Sequence, residues 1–143
     1  MRKAFTGLAT LLMVAVVAQF FLAASGAFDT APIDESFQPH RAMGFGIILF
    51  TILLTVFAAV TRMPGRLIGM TGLVAGLTAL QSVIRAIAES FGDGSDGGSS
   101  TVAGQIVFGL HAVNGLAIIA VIGMIIRQAR ELSRSVAPVQ PVS

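Results

Sequence analysis

Four long apolar runs alternate with three short polar breaks, and within each run the apolar residues are continuous rather than alternating. The runs cover about residues 5–24, 41–61, 67–88 and 102–126. Each approaches the roughly 20 residues that a helix needs to cross bilayer hydrocarbon. Barrel strands would show a period of two, so helices are the spanning elements expected here. The pattern predicts an all-α membrane protein, a four-helix transmembrane bundle over residues 1–134, followed by a disordered tail over 135–143.

Composition agrees with that solvent. The 143 residues are 55% hydrophobic and 11% charged, with a mean hydropathy of +0.87. A soluble domain so composed would expose large apolar patches, and the lipid bilayer is the medium that covers them. Basic residues cluster at Arg2 and Lys3, at Arg62 and Arg66, and at Arg127, Arg130 and Arg134. The other two connections carry Asp29, Asp34 and Glu35, then Asp93 and Asp96. By the positive-inside rule both termini are cytoplasmic and the acidic loops face outward, across a bacterial plasma membrane. The pI near 10.5 then reports topology and attraction to the inner leaflet, with no nucleic-acid partner implied. Arg2-Lys3, an apolar run and Ser25-Gly26-Ala27 would also suit a secretory signal. The run is longer than a usual signal core and contains Gln19, so it is read as a retained first span.

Rare polar residues repeat along the runs. Gly7 precedes Gln19 by twelve positions in the first span, as Gly69 precedes Gln81 in the third. The second and fourth spans open with His40-Arg41-Ala42-Met43-Gly44 and His111-Ala112-Val113-Asn114-Gly115. Spans one and three run in the same direction, so the expectation is a pseudo-twofold repeat of two helical hairpins about the membrane normal. Counted at 1.5 Å per residue from the basic residues, Gln19, Gln81, Arg85, His111 and Asn114 lie roughly 20–28 Å up. His40 lies roughly 33 Å up, about 9 Å from the level of His111. The polar side chains are thus expected to gather in the outer leaflet, facing inward where they can find partners. The inner half is expected to pack apolar, with Gly65, Gly69, Gly72 and Gly76 giving the third helix a small face for close approach.

Glycine one turn after each histidine leaves bare backbone on the same face, where a flat ligand could lie. Haem b is the cofactor expected, with His40 and His111 as its metal ligands and Gly44 and Gly115 as clearance. Gln19, Gln81 and Asn114 complete the polar layer. Arg41 and Arg85 are expected to pair with propionates, since a guanidinium grips a carboxylate through two hydrogen bonds. Bis-nitrogen ligation suits electron transfer, with a quinone or another redox membrane protein as partner. A structural reading stands beside this one. The histidines can be interfacial polar residues, Arg85 and Glu89 an intrahelical ion pair, Arg41 a snorkelling side chain, and the glutamines helix-packing partners. On that reading the chain is a haem-free accessory subunit of a larger complex, in a homo- or hetero-oligomer, with Gln81 or Asn114 docking the partner's helices.

The order of His40-Arg41-x-x-Gly44, Leu80-Gln81 and Leu110-His111 resembles one four-helix half of the haem A synthase family, and more loosely other bis-histidine membrane cytochromes b. The chain is also similar to an uncharacterised family of small four-span bacterial membrane proteins. The synthase resemblance implies haem ligation by the histidines of spans two and four, here His40 and His111. Synthases have two such halves, and an acidic residue three positions before the span-two histidine, where this chain has Phe37. The chain also lacks cysteine, so synthase activity is not expected. No phosphate loop, nucleophile elbow or Cys/His metal spacing is present, and residues 92–98 lack the terminal glutamate of a calcium loop.

Overall fold

The computed structural model describes residues 1–91 and 101–134. The acidic glycine-rich stretch at 92–98 and the tail at 135–143 lie outside the described residues. Four long helices form: α1 (Arg2–Ala27), α3 (Gln38–Val60), α4 (Gly65–Ser90) and α5 (Val102–Arg134), with one short turn, α2 (Ile33–Ser36), between the first two. All four long helices have the length and hydropathy to cross a membrane. The chain is a multi-pass membrane protein. Val14, Val17, Leu49, Leu53, Leu73, Val83, Val113 and Leu116 face outward, as lipid contact requires and water forbids.

Local chemistry sets the breaks. Pro39 sits in the first turn of α3, where its missing N–H costs no helix bond. At the other end of α3, Met63 N–H bonds to Ala58 C=O at 2.9 Å and Arg62 N–H to Ala59 C=O at 3.0 Å. This is a Schellman closure, with Arg62 at φ 52° in the left-handed position that glycine usually takes. Pro64 then caps α4, its carbonyl accepting from Leu67 N–H at 2.8 Å. Thr101 starts α5 by accepting from Gly104 N–H and ties it back to α4 by donating to Phe91 C=O, which satisfies groups that a helix end leaves free.

α1 packs on α3 and α5, and α4 packs on the same two, while α1 and α4, like α3 and α5, face each other across diagonals. The neighbours are antiparallel, since Arg2 meets Leu132, Gln19 meets His40 and Asn114 meets Leu77. This ring order, with α1 opposite α4 and α3 opposite α5, is the one that a repeat of two helical hairpins requires. The inner half is packed by Phe5, Ala9, Leu12, Leu54, Ala58, Leu67, Val74, Ile122 and Ile125. In lipid that packing replaces the hydrophobic drive between helices.

Two expectations need correction. The small face of α4 does not carry the packing, because Gly65, Gly69 and Gly76 have open space around them and only Gly72 approaches a neighbour, the Thr55 methyl at 3.9 Å. Leu67, Thr71, Val74 and Thr78 form the buried stripe instead, at the spacing of one helix face. Nor is the polar layer confined to the outer end. Thr51, Thr71 and Thr78 are buried deeper, and each hydroxyl bonds to a carbonyl one turn back, so it requires no partner from another helix.

The closest approach is at Gly26, where an added Cβ would lie 2.7 Å from the Ser36 carbonyl oxygen and 3.3 Å from the Phe37 ring. A backbone oxygen cannot swing aside. Gly26→Ala is therefore expected to cost about 1–3 kcal/mol, the usual range for overpacking. Gly7→Ala, placed in open space, should leave thermal unfolding in detergent unchanged, and equal melting of the two variants would refute this packing.

Candidate functional site

The half of the bundle that carries the histidines forms a cavity of about 140 Å³. His40 and His111 stand on its α3–α5 diagonal, Gln19 and Gln81 on its α1–α4 diagonal, and Arg41, Gly44, Arg85 and Gly115 also line it. Eight of the nine residues expected at the site thus share one wall surface. Asn114 does not: it is buried beside the cavity and donates its amide to Leu77 C=O at 2.8 Å. An amide spent inside the bundle is not free to dock a partner's helix, and in that respect the docking role considered for Asn114 is corrected.

The imidazoles are close, with ring centroids 6.2 Å apart and planes inclined at 48°. The expected offset of about 9 Å came from using Arg127 as a depth marker. Arg127 is not at a helix end, because α5 continues to Arg134, seven residues and about 10 Å further. Once that extension is included, the two histidines share a level.

His40 is held by a reciprocal clamp. Its Nδ1–H donates to the Gln19 backbone carbonyl at 3.1 Å, and the Gln19 amide Nε2 donates to the His40 backbone carbonyl at 2.8 Å. A carbonyl can only accept, so Nδ1 carries the proton and Nε2 of the neutral ring keeps its lone pair. The second hairpin has a looser version of this closure. The His111 ring lies against the Gln81 backbone, but its buried Nδ1 finds no partner within hydrogen-bond geometry, and neither do the side-chain oxygens of Gln19 and Gln81. Unpaired buried polar atoms are costly, and all three belong to residues that line the cavity.

The glycines serve the cavity differently from the expectation. An added Cβ at Gly44 would meet the Gln19 amide at 3.2 Å, and one at Gly115 would meet Phe20 Cζ at 2.9 Å and the Gln81 amide at 3.5 Å. Each glycine makes room for the glutamine of the preceding long helix, so the repeat is a Gln–His–Gly unit shared by two helices. Phe20 lies on Gly115, where a flat ligand was expected.

Arg41 and Arg85 reach the cavity from above while each holds an outward partner. Arg41 bonds to the carboxylate and the backbone carbonyl of Asp34, and Arg85 pairs with Glu89 on its own helix. Among the described residues no Asp or Glu lines the cavity, so the only charged groups on its wall are these two guanidiniums, each with its counter-charge outside the lining.

One feature escaped the sequence reading although it was written there. Phe37 precedes His40 by three residues and Phe108 precedes His111 by three. Phe37 meets His40 edge-on at 6.2 Å, and Phe108 stacks on His111 at 5.4 Å and 9°. The repeat is thus Phe-x-x-His-x-x-x-Gly. Thr78 and Ser82 also line the wall and had no spacing signal to single them out.

Residues 19–88 match a family of unknown function (DUF6220). That region begins at Gln19, contains His40, Gln81 and Arg85, and ends before α5 and His111. No curated protein and no solved structure matches the chain.

Hydrogen bonding separates two roles within this layer. Asn114→Leu breaks the bond to Leu77 and should cost about 1 kcal/mol, as interhelical hydrogen bonds in membranes do. Gln81→Leu removes a buried unpaired oxygen, so the ligand-free protein should melt at the same temperature or higher. If Gln81→Leu melts as early as Asn114→Leu, Gln81 is a structural residue.

Proposed function

We propose that the outer cavity holds one b-type haem between His40 and His111 and that the protein carries electrons within the membrane. The observation that carries this reading is the pair of imidazoles facing each other across the α3–α5 diagonal, 6.2 Å between centroids. At about 2 Å per metal–nitrogen bond, rings this close could both reach a haem iron, so His40 and His111 are the residues that would hold it. The clamp on His40 supports it further. A ligating histidine ordinarily donates its other N–H to a carbonyl, which fixes the ring and makes it more basic, and Gln19 supplies that carbonyl. When bound, haem supplies a one-electron iron couple.

The remaining residues hold and insulate the group. Arg41 and Arg85 would pair with its carboxylates, exchanging or sharing Asp34 and Glu89. Phe37 and Phe108 would shield the histidines from water. The cavity is smaller than the several hundred cubic ångströms of a typical cofactor pocket, so the Phe20 ring would have to leave Gly115 for a flat macrocycle to enter. The synthase-like order of histidines points to the same two ligands. The clustering of basic residues supports cytoplasmic termini in a bacterial plasma membrane; on that orientation the cavity opens outward, and a quinone or a redox membrane protein would exchange electrons from the outer half of the membrane.

The full chain purified from haem-replete cells should show a Soret band that sharpens on reduction and is lost in both His40→Ala and His111→Ala. A colourless wild-type preparation overturns the reading and leaves the haem-free accessory subunit in its place.

Orientation has its own test, open because the chain has no cysteine. A cysteine at Thr30, exposed in the first outer connection, should react with a membrane-impermeant thiol reagent in intact cells, and one at Gly65 should not. The reverse pattern inverts the topology.

A further inference from the structure

At the end of the bundle opposite the histidines, α1 and α5 enclose a recess of about 230 Å³ lined by Lys3, Thr6, Arg130, Ser133 and Arg134. Its walls are fixed to each other, since Arg2 donates from α1 to Leu132 C=O on α5 at 3.1 Å. Three cationic side chains from two helices converge there without a carboxylate in the lining. Both ion pairs found among the described residues, Arg41–Asp34 and Arg85–Glu89, lie at the other end. Glu131, on the same turn of α5, is exposed and takes no part in the wall. The two hydroxyls spend their protons on their own helix, Thr6 on Arg2 C=O and Ser133 on Ala129 C=O, so the three cations are the groups that would hold an anion. Among the described residues no carboxylate lines the recess, and its positive charge makes it a candidate anion site.

Its position selects the kind of anion. It sits where two membrane-crossing helices reach the headgroup layer, and directly along α1 from it are Gly7, with open space, and the exposed side chains of Leu11 and Val14. A charged head at Lys3, Arg130 and Arg134 would place an acyl chain along that apolar strip. We propose that this recess binds the phosphate of an anionic phospholipid, a phosphodiester of the phosphatidylglycerol type, with the acyl chain running along α1. Basic pockets at the ends of membrane helices recognise such headgroups, and a free phosphate compound would leave the apolar strip uncovered. The site does not depend on what the outer cavity holds.

The full chain in detergent micelles doped with phosphatidylglycerol or phosphatidylcholine, read by native mass spectrometry, tests this. Wild type should retain one phosphatidylglycerol and release phosphatidylcholine. Lys3→Gln/Arg130→Gln, one exposed cation from each wall, should lower phosphatidylglycerol affinity at least about tenfold. Arg62→Gln/Arg66→Gln removes equal charge outside the recess and should change it less than about twofold. Equal loss in the two variants means diffuse attraction and overturns the site. Retention of inorganic phosphate without phosphatidylglycerol overturns the lipid assignment.

Discussion

The histidine-bearing half of this bundle depends on the two hydrogen bonds by which Gln19 and His40 hold each other across α1 and α3. In a bilayer a glutamine amide and an imidazole are tolerated only if their polar atoms are paired. Here the pairing runs both ways, side chain to backbone in each direction. It fixes the level at which α3 sits against α1, the protonated nitrogen of His40 and the direction of its ring. Gly44 exists in this scheme as the space into which the Gln19 amide fits. A side chain there would separate the helices that the clamp joins.

The second hairpin repeats the residues with a looser version of the bonds. Gln81, His111 and Gly115 occupy the corresponding positions and the His111 ring lies against the Gln81 backbone, yet Gln81 Oε1 and His111 Nδ1 find no partner within hydrogen-bond geometry. Phe20, from the first hairpin, fills the space against Gly115. Gln19 Oε1 is unpaired as well, so both hairpins bring unused polar capacity to the cavity, and only the first closes the two-way clamp.

The architecture was readable from residue order because lipid leaves few options: continuous apolar runs must be helices, and rare polar residues in them must face inward. The site was readable for the same reason, since Gln19, His40, Gln81, Arg85 and His111 are conspicuous among aliphatic neighbours. Three things were not legible. The common level of the histidines was obscured by α5, whose last two turns lie beyond Arg127 in a charged stretch that hydropathy assigns to water. The outward direction of Gly65, Gly69 and Gly76 depends on the rotation of α4, which is set by packing of Leu67 and Val74. The phenylalanines before each histidine read as ordinary apolar filler, because aromatic contact with an imidazole leaves no mark in a hydropathy pattern.

The order of helices around the bundle is the order along the chain, and the ring closes where Arg2 reaches Leu132. Each long helix packs its backbone against its predecessor and its successor, with the first and last as neighbours, and the diagonal is crossed by the His40–His111 ring contact. The four helices therefore have cyclic connectivity, and the break between α5 and α1 is geometrically equivalent to any of the other junctions. A circularly permuted chain, opened at the tight turn of residues 61–64 and joined by a short linker across Arg2 and Leu132, would begin with α4 and trace the same ring. In it the hairpin that lacks the two-way clamp would be synthesised and inserted before the hairpin that has it.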